Sequence, residues 1–482
     1  MLNLAFALGS AVLLILCFPP FDFPWLAPFA LAPLLFVCLR ERSAHKRALF
    51  GWAAGLLFWC GMCPWIQYVL EVHAGMNGPL SWFSYFLFGL YKGLPMALFA
   101  ACAGFLLRRI WAIPAIAALW AGLERIHSEM GFAWLQLGNA GTAMAMPMRL
   151  APVTGVYGLS FVFALLACAI VLMFQRRKRT ELGWLGLLLI LLLLPGLPIP
   201  APATNRALLV QPNFDTEATW TTEFLERSEL KLAELSRAAD VDLIVWPEVP
   251  APFYPEERDF RDYASRIAQT AGADFLMGGV AFNNRRDPLN SAFWFDPGGK
   301  QVARYDKINL VPFGEYIPPF FNFVNRITNE AGDFARGQNV VVFPLKEERA
   351  GAFICYESAT PDLVRLFPLK GASLLINISN DGYFGRSAAH LQHLQVVRMR
   401  AAENRRWILR ASNDGITAVI DSRGRVTNRL VPYEQTAAIV GYGYEHETTF
   451  YTRHGDWFAW SALAIGLALS AYEWRITKTS PS

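Results

Sequence analysis

The sequence predicts a multi-pass α-helical membrane domain, with eight transmembrane helices, joined to a soluble α/β domain. The 482 residues are 54% hydrophobic and have a mean hydropathy of +0.28, which excludes an ordinary soluble protein. Charged residues are scarce before residue 200 but frequent in residues 204–455. Basic residues recur between the apolar runs, a pattern typical of chains that cross a membrane several times.

The membrane helices are predicted from apolar runs long enough to cross about 30 Å of hydrocarbon. These runs lie near residues 2–18, 24–39, 48–70, 81–107, 110–127, 153–174, 182–199 and 456–474. Lys and Arg collect in the connections after the second, fourth and sixth runs. Such clusters also suit a solvated surface or lipid headgroups, but their alternation favours cytoplasmic loops. Both termini are then expected inside the cell and residues 204–455 outside.

The soluble part alternates short apolar runs with amphipathic segments. Predicted strands cover residues 207–210, 243–246, 275–280, 292–295, 340–343, 352–355, 373–378, 408–411 and 417–420. Predicted helices cover residues 222–239, 258–271, 361–368 and 388–405. This pattern predicts mixed sheets covered by helices. The expected domains are 1–203, a membrane domain with seven helices; 204–455, a catalytic domain; and 456–482, the eighth helix with a tail.

Cys355 ends a predicted strand just before a helix start at residues 358–361. It is the only cysteine in the polar part of the chain, since the other six precede residue 176. A cysteine at such a turn exposes its sulfur, and nearby main-chain N–H groups can hold an oxyanion. A lone cysteine is otherwise most often a small buried hydrophobe. The polar groups of two further stretches, described next, favour the interpretation of Cys355 as a nucleophile.

Two further stretches carry polar groups suited to acyl chemistry. Glu248 follows the buried run LIVWP, so it arrives at the carboxyl end of a strand, where open α/β sheets place catalytic groups. Lys307 and Glu315 flank the apolar loop INLVPFG. Taken singly, Glu248 and Lys307 would more often be surface charges.

Together with Cys355 they form a Glu, Lys, Cys set. A carboxylate can take the thiol proton as the sulfur attacks an acyl carbonyl. The lysine and a backbone N–H such as that of Tyr356 would stabilise the oxyanion, and Glu315 would hold Lys307 in place. The expected intermediate is a thioester, formed with neither a cofactor nor a metal.

Four motifs in order carry a resemblance to a known superfamily: WPE at 246–248, DKINLVPFGEY at 306–316, GAFICYE at 351–357, and NISND at 377–381 followed by Phe384-Gly385. They resemble the carbon–nitrogen hydrolase (nitrilase) superfamily. With eight spans and FPPFD after the first, the whole chain resembles the apolipoprotein N-acyltransferase family, its membrane-embedded branch.

This resemblance implies an αββα sandwich in the periplasm. Glu248 is then the base, Lys307 the oxyanion stabiliser and Cys355 the nucleophile. The positions that match other residues the family needs for activity are Glu315, Tyr356, Glu357 and Trp220. The chain departs from the family pattern at Tyr383, where tryptophan is common; an aromatic is kept, so we expect a lid or lipid contact there.

The resemblance also implies a ping-pong reaction in the bacterial inner membrane. Cys355 takes an acyl chain from a phospholipid, typically phosphatidylethanolamine, and passes it to the amino group of the diacylglyceryl-cysteine that begins an apolipoprotein. The expected partners are these two substrates and the bilayer, with no nucleic acid. Two alternatives remain: a membrane-anchored amidase acting on a small periplasmic substrate, and a transporter or lipid-binding protein with an inactive outer domain.

Overall fold

The computed structural model describes residues 1–175, 179–215, 218, 221–248, 254–311, 314–316 and 334–479. The chain forms two compact units. The first contains Met1–Gln67, Asn77–Pro198 and His454–Ser482, and the second contains Tyr68–Met76 and Ile199–Arg453. The short segment 68–76 therefore belongs with the polar part of the chain, although residues 68–70 fall in the predicted span 48–70 and the rest lies between this span and the next.

The first unit is helical. Its helices are α1 (Leu2–Leu16), α2 (Ala32–Arg40), α3 (Ala44–Met62), α4 (Trp65–Tyr68), α5 (Gly78–Lys92), α6 (Leu94–Leu106), α7 (Ala112–Glu129), α8 (Ala151–Thr154), α9 (Val156–Phe174), α10 (Leu189–Leu193) and, at the end of the chain, α17 (Trp457–Thr479). Short 3₁₀ turns at Pro24–Leu26, Leu137–Ala143, Pro147–Leu150 and Arg179–Leu188 connect them.

Among the described residues, fewer helices than the eight predicted are long and apolar enough to cross a membrane. Within the described residues, Gly78–Leu106 and Val156–Phe174 are long and apolar enough to cross a membrane. Ala44–Met62 and Trp65–His73 would make a third if this pair, bent by 63°, is one broken span. The apolar helices Leu2–Leu16 and Thr180–Leu193 are shorter. The full set of eight spans is not confirmed and stays a prediction.

Glycines let the last helix pack closely on α7. A Cβ placed on Gly122 would meet the backbone of Leu463, and one placed on Gly466 would meet that of Leu119. Small residues at such contacts bring two helix backbones together, as is common in apolar helix pairs. Arg125 also lies 2.7 Å from Asp456 of the loop that enters α17. The C-terminal helix is thus part of the first unit.

The second unit contains two six-stranded sheets. Their strands are β1 (Asn205–Gln211), β2 (Leu243–Val245), β3 (Asp274–Phe282), β4 (Pro288–Phe295), β5 (Gln301–Asp306), β6 (Val342–Leu345), β7 (Glu348–Ile354), β8 (Leu374–Ser379), β9 (Trp407–Ser412), β10 (Ala418–Ile420), β11 (Val426–Arg429) and β12 (Thr436–Tyr442). The strand orders are β12-β1-β2-β3-β4-β5 and β11-β10-β9-β8-β7-β6. Strands β1 to β3 are parallel, as are β7 to β9.

The helices of this unit are α11 (Thr222–Leu235), α12 (Arg258–Ala271), α13 (Pro361–Val364), α14 (Leu366–Leu369), α15 (Ala389–Asn404) and α16 (Phe450–His454). On α12 the side chains of Phe260, Ala264 and Ile267 recur at helical spacing and are buried against the first sheet, next to Trp246. Between the sheets, Trp294 of β4 stacks on Phe343 of β6 with ring centroids 5.0 Å apart. The prediction of mixed sheets covered by helices is confirmed.

Three strands are absent from the sequence-based prediction. Strand β11 has no buried residue and so shows no alternating pattern. Strand β12 pairs antiparallel with β1, more than 200 residues earlier in the chain, and most of its residues are half-buried or exposed. Strand β5 has exposed residues at its start. Local periodicity is a weak signal for edge strands of this kind, because packing covers only part of them.

Candidate active site

The predicted site residues follow the carboxyl ends of strands in both sheets. Glu248 comes three residues after β2, Lys307 directly after β5 and Cys355 directly after β7. In the second sheet, Asn380 and Asn413 directly follow β8 and β9, which run parallel to β7. The ends of these neighbouring parallel strands share one edge of the sheet. This arrangement gathers distant parts of the sequence into one place.

Lys307 joins two carboxylates in a buried cluster. Its Nζ donates to Glu248 Oε1 at 3.0 Å and to Glu315 Oε1 at 2.8 Å. Lys307 and Glu248 are both buried, with 1% and 6% of their surfaces exposed. Burial alone would lower the pKa of Lys307, but the two carboxylates hold it well above its usual value. The lysine is therefore a fixed positive charge at the centre of the cluster.

Asn290 completes this cluster, and sequence reasoning missed it. Its Nδ2 donates to Glu248 Oε1 and to Glu315 Oε1, both at 2.7 Å. Its main-chain carbonyl accepts from the backbone N–H of Lys307 at 2.8 Å. The available signal was an asparagine inside the apolar strand run LNSAFWF, where a buried amide needs polar partners.

The remaining oxygen of each carboxylate is bound by the main chain. Asn380 N donates to Glu248 Oε2, and Val311 N donates to Glu315 Oε2, both at 2.9 Å. The orientations of the two carboxylates are thus determined from both ends. Such fixed geometry is what general acid–base chemistry requires.

The turn that carries Cys355 is strained and buried. The residue has φ 50°, in the left-handed region that non-glycine residues rarely adopt, and it begins the 3₁₀ turn Cys355–Ala359. Only 6% of its surface is exposed. The expectation of an exposed sulfur was therefore wrong, because the turn points the side chain into the protein beside the charged cluster.

The electrostatic surroundings keep this thiol protonated. Burial raises the pKa of Cys355, and the charge of Glu248 raises it further, while Lys307 acts in the opposite direction. The carboxylates of Glu248, Asp381 and Glu315 face one ammonium, so a thiolate beside them would add to a negative cluster. The sulfur accordingly needs a base that accepts its proton during attack.

Glu357 links the cysteine turn to the segment that carries Lys307. Its Oε2 accepts from Ile354 N at 2.8 Å, and its Oε1 accepts from Tyr305 Oη at 2.8 Å and Ile308 N at 2.7 Å. Burial raises the pKa of Glu357 to about 7. Its hydrogen bonds connect the two sheets next to the site.

The other predicted residues are placed as follows. Tyr356 is buried directly after the cysteine. Tyr383 is 42% exposed, and its ring packs against that of His73 in the segment 68–76, with centroids 4.3 Å apart and the planes tilted by 35°. Burial raises the pKa of Tyr383, and the charges of Glu248 and Glu315 raise it further. Trp220 lies outside the described residues.

Comparison with protein families yields two matches. The description "Apolipoprotein N-acyltransferase N-terminal domain" matches residues 10–169, and "Carbon-nitrogen hydrolase" matches residues 207–441. The second match includes Glu248, Lys307 and Cys355. Among solved structures, a CN-hydrolase superfamily protein from Xanthomonas campestris aligns with 20% identity over 50% of this chain and 90% of that one, at a TM-score of 0.39.

Relatives named apolipoprotein N-acyltransferase match nearly the whole chain. The protein from Geobacter metallireducens is 36% identical over 97% of this chain and 95% of its own length. That from Nitrosomonas europaea is 34% identical over 88% of each chain. That from Azotobacter vinelandii is 33% identical over 98% of this chain and 94% of its own. The similarity thus covers both the apolar and the polar parts.

Proposed function

The chain belongs to the apolipoprotein N-acyltransferase family, and we propose that it transfers an acyl chain from a phospholipid to an apolipoprotein through a thioester on Cys355. It is an acyltransferase of lipoprotein biosynthesis. The donor we propose is phosphatidylethanolamine. The acceptor is the free amino group of the diacylglyceryl-cysteine at the start of the apolipoprotein.

One observation carries the mechanism: a buried ammonium held by two oriented carboxylates next to a buried thiol. Lys307 contacts Glu248 and Glu315, and Cys355 lies within range of all three charges. An ammonium has three N–H donors, and among the described residues two of them serve these carboxylates, which leaves the third for a developing oxyanion. The cluster therefore holds a base and an oxyanion stabiliser at one sulfur.

In the first half-reaction, the Cys355 sulfur attacks the carbonyl carbon of a phospholipid ester. Glu248 takes the thiol proton while the S–C bond forms, because the negative surroundings disfavour a free thiolate. Lys307 and the N–H of Tyr356 stabilise the tetrahedral oxyanion. The C–O bond then breaks, Glu248 protonates the leaving oxygen, and the lysophospholipid departs from the thioester.

In the second half-reaction, the amino group of the lipoprotein attacks the thioester carbonyl. Glu248 removes the proton of the attacking amine, and Lys307 again stabilises the oxyanion. The C–S bond breaks, the amide forms, and the proton returns to the sulfur. A thioester suits this exchange because a thiolate leaves far more readily than an alkoxide.

The supporting residues hold this arrangement. We propose that Glu315 keeps Lys307 charged and that Glu357 fixes the turn of Tyr356. We assign Trp220 and Tyr383 to contacts with the lipid chains or headgroup. The charges of Glu248 and Glu315 raise the pKa of Tyr383, which is 42% exposed, so its aromatic ring is available to the apolar part of a substrate near the charged cluster.

The membrane placement completes the proposal. We propose a multi-pass protein of the bacterial inner membrane, with both termini in the cytoplasm and residues 204–455 in the periplasm. The distribution of Lys and Arg between the apolar runs supports this orientation. Both substrates would then be reached from the outer leaflet.

An acylation experiment tests the first half-reaction. The full-length protein in detergent is incubated with phosphatidylethanolamine, and its intact mass is compared with those of Cys355→Ala and Cys168→Ala, a cysteine on α9. We expect a gain of one acyl chain on the wild type and on Cys168→Ala. An equal gain on Cys355→Ala, or none on a folded wild type, would contradict the thioester.

A further inference from the structure

A second buried polar cluster lies behind the cysteine turn and takes no part in the mechanism above. His393 of α15, Asp381 after β8 and Arg410 of β9 are all fully buried. Asp381 Oδ2 accepts from Arg410 Nη2 at 2.6 Å, and Asp381 Oδ1 accepts from Ser379 Oγ at 2.7 Å. Burying three polar side chains costs desolvation free energy, which is offset only where they are paired and hydrogen-bonded to one another.

His393 connects this cluster to the nucleophile. Its Nδ1 lies 2.9 Å from Asp381 Oδ1 and 3.2 Å from Arg410 Nη2. Its Nε2 lies 3.1 Å from the main-chain oxygen of Cys355 and 2.8 Å from Ser358 Oγ. A carbonyl oxygen can only accept a hydrogen bond, so we assign the single ring proton to Nε2, which donates to this carbonyl. Nδ1 then carries a lone pair and accepts from Arg410 Nη2, which Asp381 holds in place.

The bond to this carbonyl controls the next N–H. The carbonyl of Cys355 and the N–H of Tyr356 belong to one planar peptide unit and point in opposite directions. A hydrogen bond that fixes the carbonyl therefore also fixes the direction of the Tyr356 N–H. The same bond opposes relaxation of the left-handed backbone at Cys355, which has φ 50°.

We infer that His393, anchored by Asp381 and Arg410, is a positioning residue that aims the Tyr356 N–H at the oxyanion by holding the Cys355–Tyr356 peptide plane. The inference rests on the proposed function of Cys355. It assigns His393 no proton transfer with the substrate, because its contact is to the carbonyl of the nucleophile.

The two ring nitrogens can be tested separately. In His393→Gln the amide nitrogen reaches the position of Nε2, and in His393→Asn it reaches that of Nδ1. Glutamine therefore keeps a donor for the Cys355 carbonyl, whereas asparagine places its amide nitrogen beside Asp381 and offers that carbonyl no donor. Glu403→Gln is the matched control, since Glu403 is buried on the same helix and pairs with Arg400 at 2.9 Å.

The measurement is the single-turnover acylation of the full-length protein in detergent by phosphatidylethanolamine, followed by intact mass, with Tm recorded for each variant. We expect His393→Gln to stay within about threefold of the wild-type rate at saturating lipid. We expect His393→Asn to be slower by about tenfold or more with a KM within about twofold, since the loss falls on the transition state. Glu403→Gln should keep the wild-type rate.

Equal rates for His393→Asn and His393→Gln would overturn the inference while leaving Cys355 as the nucleophile. A wild type that gains no acyl chain on Cys355 would instead refute the proposed function, and the inference with it. If His393→Asn does not fold, His393→Gln decides alone: a folded, lipid-binding His393→Gln that is tenfold slower contradicts the inference, and one near the wild-type rate supports it.

Discussion

Replacing Asn290 by leucine should slow acylation more than it harms the fold. The amide donates two hydrogen bonds of 2.7 Å to Glu248 and Glu315. Leucine has a similar volume but no donor, so both carboxylates lose one of the contacts that orient them. The backbone bond from Asn290 to Lys307 does not depend on the side chain and is retained.

The size of the effect follows from the bonds that remain. A hydrogen bond to a charged group contributes about 1.5 to 3 kcal/mol, so two represent about 3 to 6 kcal/mol. Lys307 still contacts both carboxylates, and a main-chain N–H still binds each second oxygen. We therefore expect about half of this amount, roughly 1.5 to 3 kcal/mol, in the acylation barrier, which is about a 10- to 150-fold slower reaction.

The assay is the rate at which the full-length protein gains an acyl mass from phosphatidylethanolamine. Ser291→Ala is the matched control, because this buried neighbour donates to Asp306 Oδ1 at 2.6 Å instead of to the cluster. We expect the control to acylate at the wild-type rate. If Asn290→Leu reacts within twofold of Ser291→Ala, the amide does not orient the catalytic carboxylates and the reasoning is refuted.

Three further predictions concern charge and contact at the site. Since burial and Glu248 raise the pKa of Cys355, the rate of its alkylation by iodoacetamide should keep rising beyond pH 9 without a plateau. Glu248→Gln should shift this rate–pH profile to lower pH, and Lys307→Met should shift it to higher pH. Mass spectrometry of the labelled peptide measures the rate, and an unshifted profile in both variants would contradict the prediction. Because the pKa of Glu357 is raised to about 7 in the folded protein from 4.5, the fold binds an extra proton between these values and should lose about 3 kcal/mol of stability as pH rises through them. Thermal melting from pH 5 to 8 should show a smaller loss in Glu357→Gln, and equal slopes would rule out this residue as the cause. Tyr383→Ala should raise the KM for phosphatidylethanolamine about tenfold while Tyr383→Phe leaves it unchanged, because in the proposed lipid contact the aromatic ring, which both Tyr and Phe carry, packs on the lipid. Steady-state kinetics would count against a lipid contact if both variants bind like the wild type.

The parts of the site predicted from the sequence are those with a strong local signal. Glu248 follows a fully apolar strand and Cys355 is the one cysteine far from the apolar half, so each stands out within a few residues of sequence. The structure brings Glu248, Lys307 and Glu315 into direct contact, as their chemistry suggested.

The parts that were missed depend on contacts between distant segments. Asn290 meets Glu248 across 42 residues, and His393 meets Cys355 across 38. A single buried amide or imidazole has no period that reveals its partner, because the pairing is set by how the strands align. The burial of Cys355 was missed for the same reason, since residues distant in sequence surround it, among them Glu248, Lys307 and Asp381.

In the membrane half, the sequence-based prediction is limited by what hydropathy can distinguish. Hydropathy predicts where apolar helices occur, but it does not separate a full span from a short or bent helix. The pair Ala44–Met62 and Trp65–His73 illustrates this, since one apolar run becomes two helices bent by 63°. The segment Tyr68–Met76, which overlaps the end of the predicted run 48–70, belongs to the second unit and brings His73 next to Tyr383.

The central claim is that one acyl group rests on Cys355 between two substrates. The most direct measurement is to acylate the full-length protein with phosphatidylethanolamine, remove all lipid, and add a diacylated lipopeptide with a free amino terminus. The account predicts that the acyl mass leaves Cys355 and appears as an amide on the lipopeptide in equal amount, without further donor. An acyl mass that stays on the protein, or is released only as free fatty acid, would contradict it.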